Sequence, residues 1–324
     1  MKKLILSAFA VATVCTVHAQ SNTLSLSQRG DDNKAPVNQL GNGNNLSLSQ
    51  TGSGNSLLIF DPFDRNYTQK GNSNAGSITV TGDNNEVAFV QQGNSNRGTI
   101  STTGNQNRAT LLNTNYASVG NNNEATITQV GNGNGAWASA QFGNANQTNV
   151  GQMGDGNCGS ANAIRSINNK VNVTQIGDQN RGLATSADGN FNEINISQAG
   201  NANTTFATSW ESNYNHNSVT QTGNSNLVSS SQSGDEHQST IIQQGNMNVV
   251  SSLQNGSSNH IAVSQLGSSN QLVGLSMDSE SIDSYSRQTG VSNSLTLTQT
   301  GDGNLLRFGQ AGNNNTAVVT QGSY

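Results

Sequence analysis

Residues 123–141 read NEATITQVGNGNGAWASAQ, and the fold follows from how this stretch is spaced. Asn123, Ala125, Ile127 and Gln129 alternate with Glu124, Thr126, Thr128 and Val130. A period of two marks a β-strand with one buried face. The strand runs into Gly131-Asn132-Gly133-Asn134, a tight reversal rich in residues that tolerate positive φ. Alternation then resumes from Ala136. Helix is excluded, because the apolar positions recur at two rather than at three and four and glycine interrupts every eleven residues or so.

Outward from this stretch the same unit, Gln-x-Gly-x-x-Asn, repeats along the chain: Gln28, Gly30, Asn33; Gln39, Gly41, Asn44; Gln50, Gly52, Asn55; and on to Gln310, Gly312, Asn315. From Gly120 the turn position recurs at 131, 143, 154, 166, 177, 189, 200, 212, 223, 234, 245, 256, 267, 279, 290, 301 and 312. Every step is eleven or twelve residues, and the twelve-residue steps always leave one alternate set of turns, so the true repeat is two strands in 22 or 23 residues.

In that set the triad is intact nine times: Gln129, Gly131, Asn134; Gln152, Gly154, Asn157; Gln175, Gly177, Asn180; Gln198, Gly200, Asn203; Gln221, Gly223, Asn226; Gln243, Gly245, Asn248; Gln265, Gly267, Asn270; Gln288, Gly290, Asn293; and Gln310, Gly312, Asn315. In the other set the Gln position reads as Ile164, Ala187, Trp210 and Met277, and the Gly position as Ser166, Ser212 and Ser279. The expected fold is all-β: a two-sided β-solenoid of strand-turn-strand rungs stacked about 4.8 Å apart, with Ala, Leu, Ile and Val inside and side-chain amide ladders along the stack. The 25 turn positions from Gly30 to Gly312 give 26 strands, or about 13 rungs. One rung buries too little to fold alone, so stability grows with repeat number.

Two stretches break the spacing, and a third is a weak spot within it. Gly52 to Gly71 holds Asp61-Pro62-Phe63-Asp64-Arg65, and Gly104 to Gly120 is long around Asn113 to Ala117; both read as loops. Met277 to Arg287 keeps the spacing but carries Asp278, Glu280 and Asp283.

Composition agrees with a repetitive rather than a globular chain: only 31% of the 324 residues are hydrophobic, 5% aromatic and 10% charged. Residues 1–19 read as a signal peptide, with Lys2 and Lys3, an apolar run from Leu4 to Val17 too short to span a bilayer, and Val17-His18-Ala19 before the cleavage point. The mature repeat domain is then 20–324, without a transmembrane segment. Removing the signal removes Cys15 and leaves Cys158 alone, which excludes an intramolecular disulfide. A net charge of −5 gives no reason to expect a nucleic-acid partner.

Catalytic, metal and cofactor sites are not expected. His216, His237 and His260 lie at or beside turns, lack metal-ligand spacing, and read as solvated positions, His237 standing where a turn asparagine belongs. Gly131-Asn132-Gly133-Asn134-Gly135 has neither the Lys-Ser/Thr nor the helix of a phosphate loop. Asp155, Asp178 and Asp302 are too scattered for calcium repeats. Cys158 reads as a free thiol in a turn. Lys70, Glu86, Arg97, Arg108, Glu124 and Glu193 read either as a solvated face or as gatekeepers against premature aggregation.

The repeat resembles that of curlin, the subunit of bacterial curli fibres. The resemblance is carried by Asn123, Gln129, Gly131, Asn134, Ala136 and Gln141 in the quoted stretch and extends over nearly the whole mature chain. It implies a secreted structural subunit, exported by way of the periplasm through an outer-membrane secretion pore. Such a subunit polymerises with copies of itself on a nucleator subunit into extracellular cross-β fibres for adhesion and biofilm matrix. A minor, nucleating curli subunit is an alternative within the family. A monomeric β-solenoid that binds ice or a glycan through outward Ser and Thr rows, such as Thr126, Thr128, Thr296 and Thr298, is an alternative outside it, and a disordered secreted polymer is another.

Overall fold

The computed structural model describes residues 21–58, 68–114, 120–274 and 286–322. The signal-peptide reading, Asp61 to Arg65, and the acidic stretch with Met277 and Ser279 lie outside these. The described residues form a β-solenoid of parallel strands in two sheets. The first sheet contains thirteen strands, from Thr23–Arg29 through Glu124–Val130 to Thr316–Gly322. The second contains fourteen segments, from Gln39–Leu40 through Gly135–Gln141 to Leu305–Ala311. The chain passes alternately between the sheets, so each strand pairs with the strand one rung away. In the first sheet the register is glutamine on glutamine wherever both exist, as for Gln129, Gln152 and Gln175.

The interior is a thin slab of small aliphatics. Ala125 and Ile127, Val171 and Val173, and Ile194 and Ile196 are buried on the first sheet; Ala138, Ala161, Ala184 and Ala207 meet them from the second. Alternate residues point outward, as the period-two pattern requires. Isoleucine and valine on one sheet stand opposite alanine on the other, a pairing of large with small that fills a thin interior.

The rung count is half a rung lower than the turn spacing gives. In the second sheet Ser56–Leu58 and Gln69–Lys70 share one layer, as do Gln271–Gly274 and Ser286–Val291. The fourteen segments therefore make twelve layers against thirteen in the first sheet. The turn expected at 279 lies outside the described residues, but the strands on either side of it, Gln271–Gly274 and Ser286–Val291, pair with the same strand, Val249–Ser257. This changes the partners of everything downstream: Gln288 and Gln310 lie in the second sheet, paired with Gln254 and with each other, while Gln299 continues the first-sheet column from Gln265. The nine triads thus divide, seven in one column and two in the other. Spacing alone hides the switch, because Gly267 and Gly290 are separated by the length of a full rung.

The twelve-residue half-rungs have a local cause. Phe142, Arg165, Asp188 and Glu211 each adopt left-handed backbone geometry immediately before Gly143, Ser166, Gly189 and Ser212. The extra residue carries the positive φ that the turn glycine carries elsewhere, for example Gly154 at 114°. Serine is therefore accepted at 166 and 212. The same insertion moves the inward position back by one: Ala140, Ala163, Ser186 and Ser209 occupy the glutamine column, not Gln141, Ile164, Ala187 and Trp210. Trp210 is exposed.

Candidate assembly site: amide ladders and open end rungs

From Gln129 to Gln299 each inward glutamine of the first sheet uses both amide hydrogens. One is donated along the stack: Gln129 Nε2 to Gln152 Oε1 at 3.0 Å, Gln152 to Gln175 at 2.9 Å, Gln175 to Gln198 at 2.8 Å, and Gln198 to Gln221 at 2.9 Å. The other crosses the core to a backbone carbonyl of the second sheet, as from Gln152 to Gly135 O at 2.9 Å and from Gln198 to Arg181 O at 3.0 Å. The ladder continues from Gln221 to Gln243, Gln265, Gln299 and Gln321. Below Gln129 the column holds Thr102 and Val80 before resuming at Gln50 and Gln28. Buried amides in this arrangement are satisfied by partners, which makes them a source of register rather than a burden.

A second glutamine column runs through the other sheet, and the sequence pattern does not separate it from the first. Gln39 donates to Gln69 at 2.6 Å and Gln69 to Gln91 at 2.8 Å. After an interval of Asn113, Ala140, Ala163, Ser186 and Ser209, Gln232 donates to Gln254, Gln254 to Gln288 and Gln288 to Gln310. The signal is the same triad, present at Gln91, Gly93, Asn96 and at Gln254, Gly256, Asn259.

The turn asparagines form two further ladders. Asn134 Nδ2 donates to Gly154 O at 2.7 Å, and its Oδ1 accepts the backbone N–H of Asn157 at 2.9 Å. The pattern recurs rung after rung, as at Asn180 and Asn203. An asparagine here links its own turn to the next one through both ends of its amide, a task its short side chain suits.

His237 occupies one asparagine position and is buried, not solvated as its turn location suggests. Its backbone N–H donates to Asn215 Oδ1 at 2.8 Å, and its Nδ1 accepts the N–H of Asn259 at 3.2 Å. Nδ1 must therefore be unprotonated, and Nε2 carries the hydrogen given to Ser233 O at 3.0 Å. Burial holds this imidazole below its ordinary pKa, opposed by the Ser233 carbonyl, the charge of Asp235 and the Gly256 carbonyl.

Charged side chains stand outside. Arg108 reaches Glu86 at 2.6 Å, Lys170 reaches Glu193 at 3.2 Å, and Arg165 pairs with Asp188, each across one rung. The hydrogen bond from Asn195, with Lys170 beside it, holds the Glu193 carboxyl below the usual range; the bond from Arg165 does the same for Asp188. Cys158 begins the strand Cys158–Ile164 rather than sitting in the turn, and is exposed. Among the described residues no three His, Cys, Asp or Glu side chains are grouped to hold a metal ion, and no helix is long and apolar enough to cross a membrane.

The two ends differ from the middle. Leu24, Leu26, Ala35 and Val37 at one end, and Leu306, Ala317 and Val319 at the other, are only partly buried although they occupy core columns. Their covering layer is absent among the described residues.

No curated protein matches the chain. The family model described as the curlin associated repeat matches residues 19–52 and 290–322. These matches fall on the first and last rungs of one unbroken parallel stack. Most of the strands between them keep the Gln, Gly and Asn positions, and the chain thus carries the curlin associated repeat at both ends of a single repetitive stack.

Proposed function

We propose that the chain is a secreted structural subunit that polymerises end to end into extracellular curli-like amyloid fibres serving adhesion and biofilm matrix. The observation that carries this reading is the state of the end rungs. The strands Thr23–Arg29 and Thr316–Gly322 each pair on one side only, and the apolar columns beneath them stay partly open. An edge strand with a free row of backbone groups is a template for another strand, and here it lacks the bulges that would discourage addition. Residues 1–19 serve as the export signal on this reading and 20–324 as the polymerising domain; an outer-membrane pore and a nucleator subunit are the partners the family suggests. The ladder triads from Gln129, Gly131 and Asn134 onward are the residues on which assembly depends.

The test is to purify the chain from Gln20 onward, incubate it, and examine it by dye binding, electron microscopy and fibre diffraction. Fibres with a meridional reflection near 4.7–4.8 Å are expected. A chain that stays monomeric, or forms amorphous material without that reflection, overturns the proposal.

A further inference from the structure

The two exposed end strands lie in the same sheet, which decides how one copy can sit on another. Among the described residues the first sheet has thirteen layers and the second twelve, a stack of twelve and a half rungs. If a second copy stacked in the same orientation, Thr316–Gly322 would meet Thr23–Arg29, and one strand position in the second sheet would stay empty at each junction. Leu305–Ala311 and the first second-sheet layer, residues 34–40, would then stand about two strand spacings, roughly 10 Å, apart. Their facing backbone groups and the partly buried Leu306 would be left open. Resting on the end-to-end reading above, we infer that successive copies are rotated by half a turn about the stack axis, so that each new copy's first sheet continues the preceding copy's second.

This arrangement sets Leu305–Ala311 against the next copy's Thr23–Arg29, and Thr316–Gly322 against its residues 34–40. The inward columns then match. Ala317, Val319 and Gln321 meet Ala35, Val37 and Gln39, identical residue for residue. Leu306, Phe308 and Gln310 meet Leu24, Leu26 and Gln28. Both glutamine columns pass through the junction, since ladder amides donate toward the later rung, as Gln299 does to Gln321. Val318 is 72% exposed, the most open large hydrophobic residue among those described, in a column where its neighbours are mostly polar. In the rotated copy it lies beside Pro36, whereas an unrotated copy would give it Ser25.

The backbone agrees. Outward-pointing residues hydrogen-bond the later rung and inward-pointing residues the earlier one: Lys34 N donates to Asn55 O, Leu57 N to Lys34 O, and Ser294 N to Asn315 O. At the early end the exposed donors are thus those of Ala35, Val37 and Gln39, while the missing N–H of Pro36 faces its own second rung. Pro36 takes nothing from the junction. At the turn, Asn315 has the place to donate to the next copy's Gly30 carbonyl, as Asn293 does to Gly312 at 2.8 Å.

A half-turn requires the two half-rungs to be interchangeable, and they are so at both ends, as they also are from Gln221 to Gln265. Gln28, Gln39 and Gln50 at one end and Gln288, Gln299, Gln310 and Gln321 at the other place a glutamine in both sheets, all in eleven-residue steps. In the middle the second sheet has Ala140, Ala163, Ser186 and Ser209 instead, with the inserted residues at 142, 165, 188 and 211. The curlin associated repeat is likewise matched at 19–52 and 290–322.

The experiment uses fibres of the chain beginning at Gln20 with Cys158→Ser, carrying either Thr320→Cys with Asn38→Cys or Thr320→Cys with Ser27→Cys. The half-turn predicts a ladder of covalent oligomers on a non-reducing gel for the first pair after mild oxidation, and none for the second. Cross-linking through Ser27, or fibres cross-linked by neither pair, overturns the half-turn and leaves the polymer intact. Absence of fibres from the unsubstituted chain sinks the polymer reading itself. Electron microscopy of unsubstituted fibres gives an answer independent of any substitution: both sheets run unbroken through the junctions, which recur at roughly 60 Å, whereas one missing strand at each junction refutes the proposal.

Discussion

The ring nitrogen Nδ1 of His237 accepts the backbone N–H of Asn259 at 3.2 Å, where the other turns of that column offer an asparagine oxygen. This bond exists only while the imidazole is neutral. Protonation would set an N–H against an N–H inside a buried ladder, at a cost of about 1–3 kcal/mol. Because burial depresses the folded-state pKa below the ordinary 6.5, the unfolded chain binds the proton more readily. The stability that neutral His237 contributes is present above pH 6.5 and is lost as pH falls from there through the depressed value. Denaturation midpoints measured from pH 7.5 to pH 4.5 should therefore fall more steeply for the natural chain than for His237→Asn, whose amide restores the ladder without titrating. Parallel curves for the two would contradict this.

Adjacent glutamines in the first-sheet ladder should behave as a coupled pair. Gln175 accepts from Gln152 and donates to Gln198, so Gln175→Leu breaks two ladder bonds, as does Gln198→Leu. The double substitution breaks three, since the bond between the two is shared. Each single change should cost about 1–3 kcal/mol through unsatisfied amides, and the double should cost less than their sum. A double-mutant cycle on guanidinium midpoints reads the difference. Strict additivity would mean that the amides do not bond along the stack.

Two left-handed positions in one turn should respond oppositely to substitution. Gly200 has φ of 113°, and a Cβ there would lie 2.1 Å from the carbonyl oxygen of Gly223 in the next rung. Backbone cannot yield as a side chain can, so Gly200→Ala should cost more than about 1–3 kcal/mol of strain and slow assembly. Ala202 in the same turn has φ of 56°, a geometry glycine adopts freely. Ala202→Gly should be neutral or raise the guanidinium midpoint slightly.

Period two, the recurring glycine and the triad make the two-sheet solenoid and its in-register columns legible in the sequence, because each is a direct print of strand geometry. What is not legible arises where spacing and structure diverge. The inserted residues at Phe142, Arg165, Asp188 and Glu211 keep the turn in phase while shifting the inward side chain by one, which spacing cannot show. Gln271–Gly274 and Ser286–Val291 share one layer although their spacing in the sequence is that of two, so spacing assigns two of nine triads to the wrong column. The chain neighbours of His237 suggest a solvated turn; its burial in a turn ladder depends on the rungs above and below, which lie 22 residues away.

Charge along the first-sheet edge is ordered rather than scattered. Arg97 sits beside Glu124 in register, and Lys170 beside Glu193, which is also 3.5 Å from His216. These side chains are exposed, and each pair contributes only about 0.2–1 kcal/mol. Their larger effect is on which layer can settle on which, since like charges directly adjacent in a column repel. Glu193→Lys would set a second ammonium group beside that of Lys170 and leave His216 without its carboxylate. Folding stability should drop by at most about 1 kcal/mol, while the lag before fibre growth should lengthen at low salt and recover toward the natural value at about 0.5 M, where the Debye length is only about 4 Å. A lag unchanged by the substitution, or lengthened equally at both salt concentrations, would show that the edge charges have no part in ordering the layers.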